Sequence, residues 1–246
     1  MPRPVEEPAP KRPPYFWWLL ANALALCFAV ISWEACLTVF KNPERPTNYK
    51  ILKRLGRLPE LENYNSLKAP AAPALPPKEL YRKYFGVEND QLGRMNSLLL
   101  RNYITNFERP LMLTYIEGNY RINRLKVLSK SDFLNKGIAV QAQAMVKPDD
   151  FTAPAPYPVW IEYLFPTDDA NAVNTLKPGD LMEIQKIPNC AAVIHVAKVV
   201  ENDEPALLLT VIPIVYGPYK VGKYSEFLIN PPTELDPSAG FPVFKE

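Results

Sequence analysis

The chain has 246 residues, with 28 prolines against 9 glycines and a net charge of +2. Gly-rich flexible architectures and collagen-like repeats are excluded by that ratio, and a strongly basic nucleic-acid binder by the charge. An apolar content of 48% excludes a chain disordered throughout and leaves room for one domain plus accessory segments.

The prolines divide the chain. Six fall in residues 1–14, none in 15–42, seven in 43–77 and one, Pro110, in 78–147. Proline lacks a backbone donor and fixes φ, so proline-free stretches are candidate helices and strands. Residues 1–14 lack apolar periodicity and are expected to be a disordered tail.

Residues 15–40 carry a single charge, Glu34. A hydrocarbon core of ~30 Å needs about 20 apolar helical residues, so a transmembrane helix over 15–40 is expected. Trp17 and Trp18 at one end and Trp33 at the other match the two interfacial aromatic belts, and Glu34 then falls at the interface. Three other readings compete. A cleaved signal wants a small-x-small site, a lipoprotein signal a small apolar box before Cys27 or Cys36, and a core helix no flanking Trp and Lys/Arg; none fits well.

Orientation stays open. Arg3, Lys11 and Arg12 precede the segment, while Lys41, Arg45, Lys50, Lys53, Arg54 and Arg57 follow it. A bare count puts the C-terminal domain in the cytoplasm. Lys11 and Arg12 abut the span, however, and long domains translocate largely regardless of charge. The favoured expectation is therefore a signal-anchor with a cytoplasmic N-terminus and an extracytoplasmic domain.

Residues 41–77 read as a basic, Pro-rich stem. Ile51, Leu55 and Leu58 form an apolar stripe, with Lys50, Arg54 and Arg57 on a neighbouring face and Lys53 close by. Such a helix can lie on anionic headgroups, which makes Lys50, Lys53, Arg54 and Arg57 candidate lipid-surface residues; a solvated stem is the alternative. Residues 69–77 read as a stiff spacer of roughly 25–30 Å.

Residues 78–218 read as the folded domain. Leu92, Met95, Leu99, Tyr103 and Phe107 make a helical stripe after a break at Gly86, with Asn89 or Asp90 as N-cap and Arg109-Pro110 as stop. Strands are expected at 111–117, 120–128, 138–146, 159–165, 181–187, 191–200 and 206–215, with Gly118-Asn119 as a hairpin turn and Lys177–Asp180 as a type II turn. The last two strands are apolar on both faces and should be central. The expected fold class is α+β: one or two helices, then a mainly antiparallel, barrel-like sheet of six or seven strands. Residues 219–246 read as a Pro-rich tail packed in part through Phe227, Phe241 and Phe244. Charge is segregated, with 19 Lys/Arg against 9 Asp/Glu in 41–147 and 6 against 14 in 148–246. The acidic half either meets a basic partner or pairs within the fold.

Catalytic, cofactor-binding and metal residues are not expected. His195, the only histidine, lies in an apolar strand and reads as a sheet histidine. Cys190 is the only cysteine beyond the first helix and should be buried. Asp149-Asp150 and Asp168-Asp169 read as turn residues, and the basic-aromatic string Tyr115–Lys126 as a hairpin with one wet face. Pro178-Gly179-Asp180 superficially resembles the β-domain of bacterial signal peptidases, but their Ser-x-Met-x-Pro nucleophile context has no counterpart, and the resemblance is rejected.

In layout alone the chain is similar to single-span scaffold subunits of bacterial secretion and pilus systems. The expectation is a non-enzymatic membrane protein that binds a protein partner, with homo-oligomerisation open and no nucleic acid. Two alternatives stand beside it. One is an anchored enzyme or ligand-binding domain using Glu117, Tyr120, Arg121, Glu162 and Tyr163. The other is a membrane-surface sensor acting through the stem.

Overall fold

The computed structural model describes residues 14–58, 73–105, 113–145, 157–185, 190–201, 203–221 and 225–244. Residues 1–13 of the expected tail 1–14, the remainder of the spacer at 69–72, Phe107, Arg109-Pro110 and Asp149-Asp150 lie outside these residues, while Pro14 begins the first helix. The chain divides into two units, Met1–Asn42 and Pro43–Glu246.

The first unit is helix α1, Pro14–Lys41, of 28 residues. Proline is compatible with a first helical turn, and Lys41 in the last turn complements the helix dipole. From Tyr15 to Lys41 the mean hydropathy is 2.0 and none of the apolar window is buried. The helix is long and apolar enough to cross a membrane, and its exposure sets aside the core-helix reading.

The second unit takes in the stem helix and the C-terminal segment that the sequence set apart. Helices α2 (Pro46–Arg54) and α3 (Pro77–Tyr84) also begin on prolines, and α4 runs Asn89–Thr105. Leu92, Leu99 and Tyr103 of the expected α4 stripe are buried, joined by Ile104. Asn96 on α4 uses its amide as a backbone mimic, donating to the Val196 carbonyl and accepting from the Val196 N–H at 2.8 Å each.

The strands are β1 (Ala74–Leu75), β2 (Tyr115–Ile116), β3 (Gly118–Leu128), β4 (Gly137–Met145), β5 (Val159–Phe165), β6 (Leu181–Ile184), β7 (Ala191–Glu201) and β8 (Glu204–Pro213). A short helix, α5 (Ala172–Thr175), lies between β5 and β6. The eight strands form one mixed sheet in the order β1-β2-β7-β8-β5-β4-β3-β6. β9 (Gly217–Val221) and β10 (Ser225–Ile229) make a separate antiparallel pair inside the expected tail.

Several expectations are corrected here. The sheet is larger than six or seven strands, and it is mixed, because β1–β2 and β5–β8 pair in parallel. The β5–β8 pairing joins segments separated by α5, β6 and β7, so no local turn signal announces it. Ala74–Leu75, read as part of a free spacer, is an edge strand, a position that tolerates the flanking prolines.

Gly118-Asn119 is not a hairpin turn. β2 pairs with β1 and β7, while β3 pairs with β4 and β6. Only Glu117 separates β2 from β3, yet they hold the second and seventh places in the sheet. Two peptide steps span at most about 7 Å, so the sheet must curl until its ends nearly meet, giving a half-barrel. Gly118 makes the jump, with φ +132, in a conformation unfavourable to side chains, and a Cβ there would lie 3.1 Å from the Pro77 ring. Gly137 is tighter still, with φ +131 and no room for a Cβ beside the Phe165 carbonyl. Lys177–Asp180 does form its turn, with Gly179 at φ +93 and the Asp180 N–H donating to the Lys177 carbonyl.

Strand alternation builds two apolar layers. The inner face carries Ile122, Val140, Ala142, Ile161, Tyr163, Phe165, Val193, Leu209 and Val211, packed with Leu80 and Tyr84 of α3 and Leu92 and Leu99 of α4. Tyr163, Phe165, Tyr219 and Phe227 fill one part of it with ring centroids 4.0–6.3 Å apart. Each fully buried aliphatic or aromatic side chain contributes about 1.5–3 kcal/mol. The other face is covered by Tyr49 of α2 and by Leu235 and Val243 of the C-terminal segment.

Candidate functional site

Two β-bulges organise the covered outer face. In β3 the register slips between Ile122 and Arg124, and in β7 between Val193 and His195. A bulge re-aims the side chain that follows it. The pairings Arg124↔Gln141, Gln141↔Glu162, Glu162↔Thr210 and Thr210↔His195 then lay one polar row across five strands, β3, β4, β5, β8 and β7.

The row sits in an apolar sheet, so each member must find a partner. The Arg124 Nε donates to Gln141 Oε1 at 2.6 Å, and Gln141 Nε2 donates to Glu201 Oε1 at 3.2 Å. Glu162 is fully buried. It accepts from the Thr210 hydroxyl at 3.1 Å and from the backbone N–H groups of Val243 and Phe244 at 3.0 Å each. Burial pushes the Glu162 carboxyl above its ordinary value, against the pull of those hydrogen bonds and of the Arg124 charge.

Residues 241–244 therefore form a strap over the row, entering through a cis Phe241–Pro242 bond. Phe241 stacks on the His195 ring at 5.0 Å and lies 5.3 Å from Phe133. Phe244 lies 5.0 Å from the Arg124 guanidinium, a cation–π contact. The Val243 carbonyl accepts from Lys126 at 3.4 Å, and Lys126 also pairs with Asp132 at 2.7 Å. Against the pull of its own burial, hydrogen bonds from Lys126 and Ser129 hold Asp132 below its ordinary value. Burial lowers His195 from 6.5 to about 4, leaving it neutral at pH 7.

Chemically, this is a latch. The oxygens of Glu162 are occupied by groups of the same chain, and the row holds residues 241–244 in place. The sequence did carry a signal for it, a lone acid flanked by Trp160 and Leu164 on one face of a strand buried throughout. What it lacked was the strap, some 80 residues away in an irregular stretch.

The five residues of the ligand-site alternative do not converge. Tyr120 and Tyr163 belong to the inner apolar layer, Glu162 to the outer row. Glu117 lines an open groove of about 390 Å³ with Pro76, Pro77, Asn119, Glu183 and Gln185. Cys190 is buried, as read. Asp168 pairs with Lys136 at 3.2 Å, and Asp169 accepts from the Asn171 and Leu228 N–H groups, so both serve their loop. Tyr115–Lys126 is not the expected hairpin with one wet face: β2 and β3 do not pair, and Tyr115 and Tyr120 are buried in different layers.

Trp17, Trp18, Trp33 and Glu34 are all exposed on α1. Lys50, Lys53 and Arg54 are exposed on α2, and Arg57 just beyond it. Lys53 reaches Glu234 at 3.4 Å. Hydrogen bonds from Ser238, with a smaller contribution from the charge of Lys50, hold Asp236 below its ordinary value. The face of α2 that docks is not the expected Ile51-Leu55-Leu58 stripe. Tyr49 and Leu52 are buried instead, while Ile51 is 40% and Leu55 61% exposed. Burial pushes the Tyr49 hydroxyl up to about 12, a backbone hydrogen bond from Leu235 pulling the other way.

No family model matches the chain, and neither a curated protein nor a solved structure is significantly similar to it. The fold class, an apolar N-terminal helix followed in the chain by a half-barrel of eight mixed strands, rests on the chain's own geometry.

Proposed function

We propose that this is a non-enzymatic single-pass membrane protein, anchored by α1, whose domain lies outside the cytoplasm and binds a protein partner or scaffolds a cell-envelope assembly. The observation that carries the reading is α1 itself: 28 residues, apolar, unburied and bracketed by Trp17, Trp18 and Trp33. Exposing that much apolar surface to water is costly, and a bilayer removes the cost.

Two features of the domain support a binding role over catalysis. The inner face is filled by Tyr163, Phe165, Tyr219 and Phe227. Glu162, the one fully buried carboxylate among the described residues, is taken up by backbone and hydroxyl donors.

The test is cross-linking of the full chain in its native membranes. Discrete adducts, either a homo-oligomer or one defined heteromer, are expected, and they should vanish when 43–246 is deleted. A chain that stays monomeric at every cross-linker concentration contradicts the proposal.

A further inference from the structure

Helix α2 has two faces, and the domain uses only one. Tyr49 and Leu52 are buried beneath it. At 100° per residue, Arg54 points almost directly away from that pair, with Lys50 on one side of it and Ile51 and Leu55 on the other. All four are exposed, and Arg57 follows, also exposed. Cationic heads beside protruding aliphatic side chains are the chemistry of a helix lying in a membrane interface. Lys53, by contrast, lies at the flank, paired with Glu234.

Chain reach adds a second argument. Four residues, 42–45, separate α1 from α2. Even fully extended they span at most about 18 Å from Lys41 to Pro46. If α1 crosses the bilayer, α2 cannot leave the neighbourhood of its surface. The attraction of anionic headgroups for basic residues acts over about a Debye length of 10 Å, which α2 can reach and most of a domain cannot.

We propose that α2 is a lipid seat, with Tyr49 and Leu52 fixing it to the domain and Lys50, Ile51, Arg54, Leu55 and Arg57 resting on an anionic bilayer surface. The domain then sits against the membrane. The stiff 25–30 Å spacer read from the sequence does not lie between α1 and the folded unit, because the folded unit begins before it, at Pro43. This inference rests on the anchor reading above, and the experiment separates the two.

The full chain, with Cys27 and Cys36 replaced by alanine, is placed in nanodiscs with and without phosphatidylglycerol. Spin labels go on Leu55→Cys and, separately, on Leu24→Cys within α1. Cys190 is buried and leaves the labels distinct. Relative accessibility to oxygen and to a water-soluble nickel complex reads depth. The Leu24 label is expected at core depth and the Leu55 label at headgroup depth in anionic discs. Changing Lys50, Arg54 and Arg57 to Gln should lower headgroup occupancy at 55 by about fivefold per charge. These side chains are exposed, and an unchanged Tm checks that losing the Lys50 charge near Asp236 leaves the fold intact. A Leu24 label at core depth with an aqueous Leu55 label overturns the seat alone. An aqueous Leu24 label overturns the anchor and the seat together.

Discussion

Replacing Glu162 by alanine is expected to lower the stability of the 43–246 unit by about 3 kcal/mol, or roughly 6–12 °C in Tm for a domain of this size. The cost comes from the groups left behind. The N–H donors of Val243 and Phe244 and the hydroxyl of Thr210 lose their acceptor in a buried site. Arg124 loses its electrostatic attraction to the Glu162 carboxylate. Glu162→Gln keeps the shape and an acceptor oxygen but turns an N–H₂ toward a donor, so about half the loss is expected. Amide exchange at Val243 and Phe244 should accelerate in both variants, while β8 remains protected at a level set by the remaining stability. A Tm unchanged within 2 °C would show that the strap is held by Phe241 and Phe244 and not by the carboxylate.

His195→Phe should flatten the stability of the domain between pH 6.5 and 4. The folded-state value of about 4 lies below the ordinary 6.5. Between these values the unfolded chain binds the proton and the folded chain does not. The contribution is therefore complete above pH 6.5 and is lost as the pH falls toward 4, by about 3 kcal/mol across the window. Glu162 works in the opposite sense, because its raised value favours the folded state as the pH falls. The difference between the wild-type and His195→Phe unfolding curves isolates the histidine, the only one in the chain. Phenylalanine keeps the ring against Phe241. Parallel curves over this range would mean that His195 becomes charged without disturbing the strap.

Local pattern made much of this fold legible. The long apolar first helix, the break at Gly86, the stripe on α4 and the central placement of β7 and β8 all follow from spacing within one segment. What was not legible is long-range. The parallel β5–β8 pairing, the passage through Gly118 from one end of the sheet to the other, and the docking of Ala74–Leu75 depend on segments far apart in the chain. The site divided the same way. The strand that carries Glu162 was expected, but the backbone donors of residues 243 and 244 that satisfy its carboxylate lie some 80 residues away and cannot be read from that strand. In α2 the periodicity of Ile51 and Leu55 was real, yet the domain took Tyr49 and Leu52. Amphipathic spacing says which residues share a face and not what covers it.

The proposed topology has α1 anchoring a domain that lies outside the cytoplasm. A pair of fusions after Glu246 tests it most directly, one to a phosphatase active only outside the cytoplasm and one to a fluorescent protein that matures only inside. An active phosphatase, a dark fluorescent fusion, and a full-length polypeptide that stays in the membrane pellet after alkaline carbonate are expected. An inactive phosphatase with a bright fluorescent fusion, or a chain released by carbonate, would contradict it.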